Sequence, residues 1–199
     1  MNMMRFTTMK TKLRKYPSIF LILLLAISSC FLTGCVNQHP KDSKKSSQGE
    51  SVETMLEITD PKEKQAVLNA KAKVKALSGN PRIVATSPAV ADICDKLDLD
   101  LVGVPKSSVS KIPSRYKKVK KVGLAMSPDM EIVSSLNPDW ILAPSSLETD
   151  LKPKFEELKN TEYAFLNLRS VQGMYRSAQE LGEIFGKQQE AEKMTKEFT

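Results

Sequence analysis

Few side chains in this 199-residue sequence are equipped for chemistry. It holds three cysteines, Cys30, Cys35 and Cys94, and a single histidine, His39. No His/Cys/Asp group has metal-ligand spacing, no Gly-x-Gly-x-x-Gly follows an apolar run, and there is no Gly-x-Ser-x-Gly turn. A cysteine nucleophile needs a base or a cation beside it. The only histidine, His39, is far from Cys94 in the sequence, and Cys94 falls on the apolar face of "SPAVADICDKLD" and reads as a small core residue. These absences give an enzyme reading little support. One soft side chain stands apart. Met126, in "KVGLAMSPDM", sits just before Ser127-Pro128, in a turn and not on a periodic apolar face. A thioether in that place is free to touch something other than the core.

The amino-terminal stretch is not part of the fold. Residues 1–16 carry Arg5, Lys10, Lys12, Arg14 and Lys15 with no acid, and residues 19–32 are almost wholly apolar, too short for a comfortable transmembrane helix. The run ends in "LTGC", residues 32–35. This resembles the lipobox of bacterial lipoproteins. The resemblance implies a signal peptide over residues 1–34, a lipidated (palmitate-bearing) Cys35, and attachment to the extracytoplasmic face of the cell membrane. Removing residues 1–34 leaves 25 basic against 23 acidic residues, so the formal charge of +7 is mostly signal peptide. It is poor evidence for nucleic-acid binding. With Cys30 removed and Cys35 acylated, Cys94 has no partner for an intramolecular disulfide.

Residues 36–50, "VNQHPKDSKKSSQGE", are polar and rich in Lys and Ser, and with Cys35 they read as a flexible tether. Residues 51–80 read as a helical spacer. Asp60-Pro61 supplies an N-cap and N1 pair, Gly79 a stop, and Val67, Ala70, Val74 and Leu77 one thin apolar face. Proteolysis is expected to strip everything before Arg82. From there short apolar runs alternate with capped helices: "RIVA", a Ser87-Pro88 helix start, "LVGV", a long polar loop over residues 106–122, a short helix "PDMEIVSSL", "DWILA", a helix, "YAFLNL", and a helix capped by Ser170 and closed by Gly186. Trp140 is expected in the core, alternating with Leu142. This pattern predicts an α/β, Rossmann-like lobe over residues 82–199 with a parallel sheet covered by helices on both faces. Residues 187–199 begin a further helix that stops in mid-pattern, either as a free terminus or as a cut chain.

With those elements placed, the chain resembles the N-terminal half of the iron-complex substrate-binding lipoproteins of ABC importers. That family serves haem, siderophores and cobalamin. "RIVATSPAVADICDKLDLDLVGVP", "LNPDWILAP" and "SVQGMYRSAQELGEIFGKQQEAEKM" carry the likeness, and the final helix corresponds to the start of the one that bridges two lobes. "DKLDL", "PSRYKKV" and "VGLAM" before Ser-Pro are similar to the haem receptors of Gram-positive cell-wall uptake. The resemblance implies haem as the transported ligand, with Met126 as an axial iron ligand. A neutral thioether suits low-spin haem iron and raises its potential. It also implies Pro88 and Ala89 at a helix start facing a haem propionate, and Ser107 and Ser108 as donors after the second strand. Here the sequence departs from its relatives, because Ser108 stands where the haem receptors offer an aromatic hydroxyl and the loop is one residue longer. Arg115 and Tyr116 are candidates for a ligand carboxylate or for a solvated basic edge. The implied partners are an ABC permease with its ATPase and cell-wall haem carriers. Glu148, with Glu131 as a second acidic candidate, is placed to meet the arginines of the transporter. A siderophore or cobalamin receptor, or a fragment without ligand, is the alternative reading.

Overall fold

The structure is a computed structural model that describes residues 5–6, 58 and 60–196. Cys35, the tether with His39, and the expected signal peptide apart from Arg5 and Phe6 lie outside the described residues. In chain order the elements are β1 (Arg5–Phe6), α1 (Pro61–Lys75), β2 (Ile83–Ala85), α2 (Pro88–Lys96), β3 (Leu101–Val104), β4 (Lys120–Lys121), β5 (Gly123–Leu124), β6 (Ser127–Pro128), α3 (Met130–Ser135), β7 (Trp140–Pro144), α4 (Glu148–Glu156), β8 (Glu162–Leu166), α5 (Val171–Phe185) and α6 (Gln188–Lys196). The main sheet has the order β1-β8-β7-β2-β3-β4, and every pairing among β2, β3, β4, β7 and β8 is parallel.

The four apolar runs become strands because they are buried on both faces, where β-branched and aromatic residues pack best. Alternation then separates two cores. Ile83, Ala85, Trp140, Leu142, Ala164 and Leu166 face the side covered by α1, α2, α5 and α6. Val84, Ile141, Ala143, Tyr163 and Phe165 face α3 and α4. Trp140 is buried edge-to-face against Phe185, in the core as the sequence predicts. The expected caps are present: the Ser87 and Ser170 hydroxyls accept from Val90 N and Gly173 N, and Gly186 ends α5 at φ 72°.

The "LNPD" segment fixes the register of the sheet. Asn137, at φ 44°, turns the chain out of α3. The Arg82 guanidinium donates to the last carbonyls of that helix, Leu136 O at 2.7 Å and Asn137 O at 3.2 Å. The Asp139 carboxylate accepts from Arg82 N at 2.8 Å. It thereby locks the start of β7 to the start of β2, with Ile83 opposite Trp140.

Three expectations change. First, the loop over residues 106–122 ends in β4, an edge strand of Lys120 and Lys121 paired with Gly103 and Val104, and leads into the β5–β6 hairpin. Two lysines make no apolar run, and charge on an edge strand shields its open side. Second, residues 61–75 are not a solvated spacer. Val67 and Ala70 are buried in the first core. Glu63 pairs with Arg176, Lys71 with Glu183, and Lys73 with Glu162 at the start of β8. These pairs make α1 run antiparallel to the strands, entering the lobe near their carboxyl ends. Proteolysis at Arg82 would have to pull a core helix away. Third, Arg5 and Phe6 of the expected signal peptide pair antiparallel with Phe165 and Ala164. β8 is otherwise an edge whose backbone groups any extended segment can satisfy. That pairing belongs only to a chain that keeps residues 1–34.

Candidate ligand-binding pole

A doubly wound sheet leaves a crevice outside the carboxyl ends of its strands, at the point where the strand order reverses. Here β3 and β4 lie to one side of β2, and β7 and β8 to the other, so the crevice opens between β2 and β7. The loops that leave the carboxyl ends carry most of the sequence-predicted residues.

After β2, Thr86 is buried, its hydroxyl directed to Leu142 O at 3.3 Å, and it knits β2 to β7 at the rim. Ser87 caps α2 and already occupies Val90 N. Pro88 is half-buried and has no N–H, so it supplies position and apolar surface without a hydrogen bond. Ala89 is exposed, and its amide is the one that this helix start can direct outward.

After β3, Ser107 is half-buried and its Oγ accepts from Ser110 N at 3.0 Å, which folds the loop on itself. Ser108 is exposed. Lys106 N donates to Gly123 O at 2.6 Å, tying this loop to the hairpin that follows β4.

The hairpin answers the question posed by Met126. β5 and β6 pair as Gly123 with Pro128 and Leu124 with Ser127, leaving Ala125-Met126 as a two-residue turn. Its base is rigid. Gly123 is at φ 98°, and a Cβ there would meet Asp129 N at 2.9 Å and Ser127 O at 3.1 Å. Asp129 N donates to Val122 O at 2.7 Å, and the Asp129 side chain caps α3. The thioether at the tip is 73% exposed, beside Leu124 at 59%; Val109, on the loop after β3, is 95% exposed. Three large apolar side chains thus face solvent on these loops, as do Val171 at the start of α5 and Leu68 on α1. Leu124 and Val109 were not singled out in the sequence. An apolar residue inside an otherwise polar loop was the available signal.

After β7, Glu148 is half-buried as the first residue of α4. It lines an open concavity of about 400 Å³ with Ser145, Thr149, Lys152 and Arg169. A carboxylate at a helix start is stabilised by the helix dipole. A larger concavity of about 520 Å³ lies at the opposite pole, around Asn137, Asp139 and Asn160, and includes none of the sequence-predicted site residues.

Arg115 and Tyr116 are not at the site. Parallel strands need a crossover, so residues 105–119 return to the amino ends of the strands. There Arg115 is held by Asp98 at 2.7 Å and Asp100 at 2.9 Å, which pushes the guanidinium pKa up. The Tyr116 hydroxyl is buried and donates to Leu99 O at 2.6 Å; burial pushes its pKa up. Neither faces a ligand at the carboxyl ends.

Comparison with known proteins agrees with this geometry. Residues 83–199 match the family model described as "Periplasmic binding protein". The high-affinity heme uptake system protein IsdE of Staphylococcus aureus strain Newman is 36% identical over 117 residues, 59% of this chain. The chain spans 39% of the length of that relative. Among solved structures, an ABC transporter substrate-binding protein from Listeria monocytogenes EGD-e superposes at a TM-score of 0.57 with 44% identity, over 60% of this chain and 45% of that one. S. aureus IsdE complexed with heme gives 0.56 and 34%, over the same shares. The petrobactin-binding protein YclQ from Bacillus subtilis gives 0.51 and 25%, over 59% and 43%. The parallel lobe, its reversed strand order and a family match over more than half of the residues lead to one conclusion: this chain belongs to the periplasmic binding protein family.

Proposed function

We propose that the chain is part of a lipid-anchored receptor for an ABC importer, binding haem with Met126 as an axial ligand. The observation that carries this reading is the exposed thioether on a stiff two-residue turn, with Leu124 beside it, at the pole where such sheets bind ligands. Similarity to a protein named for heme uptake supports it. The Leu124 and Val109 side chains would contact the porphyrin face, and the thioether sulfur would reach the iron. Ala89 N and the Ser108 hydroxyl would serve a propionate, with Pro88 and Ser107 fixing those two loops. Glu148 would meet a cationic residue of the permease, whose ATPase drives transport, and cell-wall haem carriers would supply the ligand. Siderophore receptors share the fold at lower identity, so a ferric siderophore is the second reading.

Titrating the chain with haemin and following the Soret band tests the ligand. A shifted band that weakens in Met126→Ala is expected. No perturbation by haemin, combined with quenching by a ferric siderophore, would transfer the site to the second reading. Anchoring is tested separately by Cys35→Ala with palmitate labelling and membrane fractionation. The variant is expected to lose both label and membrane retention; unchanged labelling and retention would refute the lipobox.

A further inference from the structure

We propose that Glu63, Arg176 and Glu180 form a proton-dependent latch that holds helix α1 on the lobe. The latch thereby fixes the start of α1 near the carboxyl ends of the strands. Glu63 lies on α1, and Arg176 and Glu180 lie on α5, one turn apart. All three are sequestered: Glu63 is 8% exposed, Glu180 is 1% exposed, and the Arg176 side chain is largely covered. The guanidinium Nη2 donates to Glu63 Oε2 at 2.9 Å, while Nε stands 3.9 Å from Glu180 Oε1.

The donors do not match the acceptors. Two carboxyl groups meet one guanidinium, so full ionisation would bury a net negative charge, which is strongly unfavourable in a low-dielectric interior. Glu63 Oε1 and both Glu180 oxygens are buried, and no N–H or O–H donor among the described residues bonds to them. A proton on Glu180, donated to Glu63, removes the excess charge and leaves one Glu180 oxygen without a donor. The surroundings favour that state: burial first, then the hydrogen bond to Glu63 and its charge, push the Glu180 carboxyl up to about 9, against a weaker pull from Arg176. The other charged groups nearby are engaged elsewhere. Lys71 of α1 pairs with Glu183 of α5 at 2.8 Å, and Lys187, just before α6, pairs with Asp98 at 3.0 Å.

The sign follows from the direction of the shift. A carboxyl whose pKa is raised on docking keeps its proton in the docked state and loses it in the released state. Docking is then strongest at low pH and weakens as pH rises towards the raised value. α1 leaves the lobe when Glu180 ionises, and β2, β7 and β8 stay folded. Because α1 enters near the carboxyl ends of the strands, its release also frees Asp60 and the start of the helix from that pole.

Hydrogen exchange on the full 199-residue chain reads this directly, comparing the amides of α1 with those of β7 after normalising to intrinsic rates. Protection of α1 is expected to fall about tenfold or more between about pH 7 and about pH 10, with β7 unchanged. Glu180→Gln donates to Glu63 at every pH and is expected to hold α1 protection flat. Should that variant not fold, Glu63→Gln serves, because it removes the charge and the acceptor beside Glu180, leaves burial set against the pull of Arg176, and is expected to make the fall smaller. A wild-type α1 whose protection does not change with pH, or variants that keep the wild-type fall, would overturn the latch.

Discussion

Met126 and Cys94 both carry sulfur, and burial separates their chemistry. The thioether at residue 126 is largely exposed, so its removal leaves the core untouched. Cys94 is fully buried on α2, and desolvation pushes its thiol up to about 12. A thiol that stays protonated neither attacks nor coordinates. Its effect on stability has a definite sign. Above about 9 the unfolded thiol ionises while the folded one keeps its proton, so stability falls as pH rises through that window and levels off near 12. In a Cys30→Ser, Cys35→Ser background the native chain is expected to leave Cys94 unlabelled by a thiol reagent at mildly alkaline pH, and to label once unfolded. Rapid labelling of the native chain would show that the α2 face is open. The sequence reading reached Cys94 correctly because apolar periodicity predicts burial. It placed Met126 in a turn correctly as well, but it did not foresee the hairpin, because Ala125-Met126 carries none of the usual Asn-Gly or Asp-Gly signals.

Among the elements, α5 and α6 meet at a corner that depends on one missing side chain. A Cβ on Gly182 would lie 2.8 Å from Ala191 Cβ and 3.0 Å from the Lys187 carbonyl oxygen. Lys187 N also bonds to Gly182 O at 2.7 Å, so the backbone has little room to yield. Gly182→Ala is expected to destabilise the chain by about 1–3 kcal/mol through overpacking, seen as a lower denaturant midpoint with an unchanged slope. A gain in stability would mean that the corner relaxes and that the usual helix preference for Ala dominates. Long or strongly apolar elements were legible in the sequence: the four buried strands, the Ser87 and Ser170 caps and the Gly186 stop all stand where pattern and cap chemistry put them. Elements whose stability is tertiary were not. β4 is two lysines paired with a neighbour distant in sequence, and α1 is mostly Lys and Glu. What docks α1 is the pairing of its own Glu63 with Arg176 on a different helix, two lysine ion pairs and two apolar side chains, and neither periodicity nor composition reports that.

At the scale of the molecule, the proposed function would make the loops at the carboxyl ends of the strands one wall of a haem site. Its exposed apolar side chains, Val109, Leu124 and Met126, point away from both cores. A flat porphyrin laid on that wall buries one face and leaves the other in water. Each 100 Å² of apolar surface left wet forgoes roughly 2.5 kcal/mol, on the usual scale of about 25 cal/mol per Å². Thioether binding to ferric iron is weak unless the pocket is dry and a strong ligand stands opposite. No histidine lies among the described residues to fill that position; His39 is in the tether. A polypeptide of these 199 residues without any lipid is therefore expected to take up haem loosely, as a five-coordinate or partly high-spin species. Exposed apolar surface at the same pole is expected to promote self-association on loading. Absorption titration with sedimentation of the loaded sample checks both. Tight one-to-one binding by a monomer, with a six-coordinate low-spin spectrum that survives Met126→Ala, would contradict both the single-wall picture and the thioether ligand. The same spectrum lost in Met126→Ala would keep the ligand and overturn only the need for a second wall.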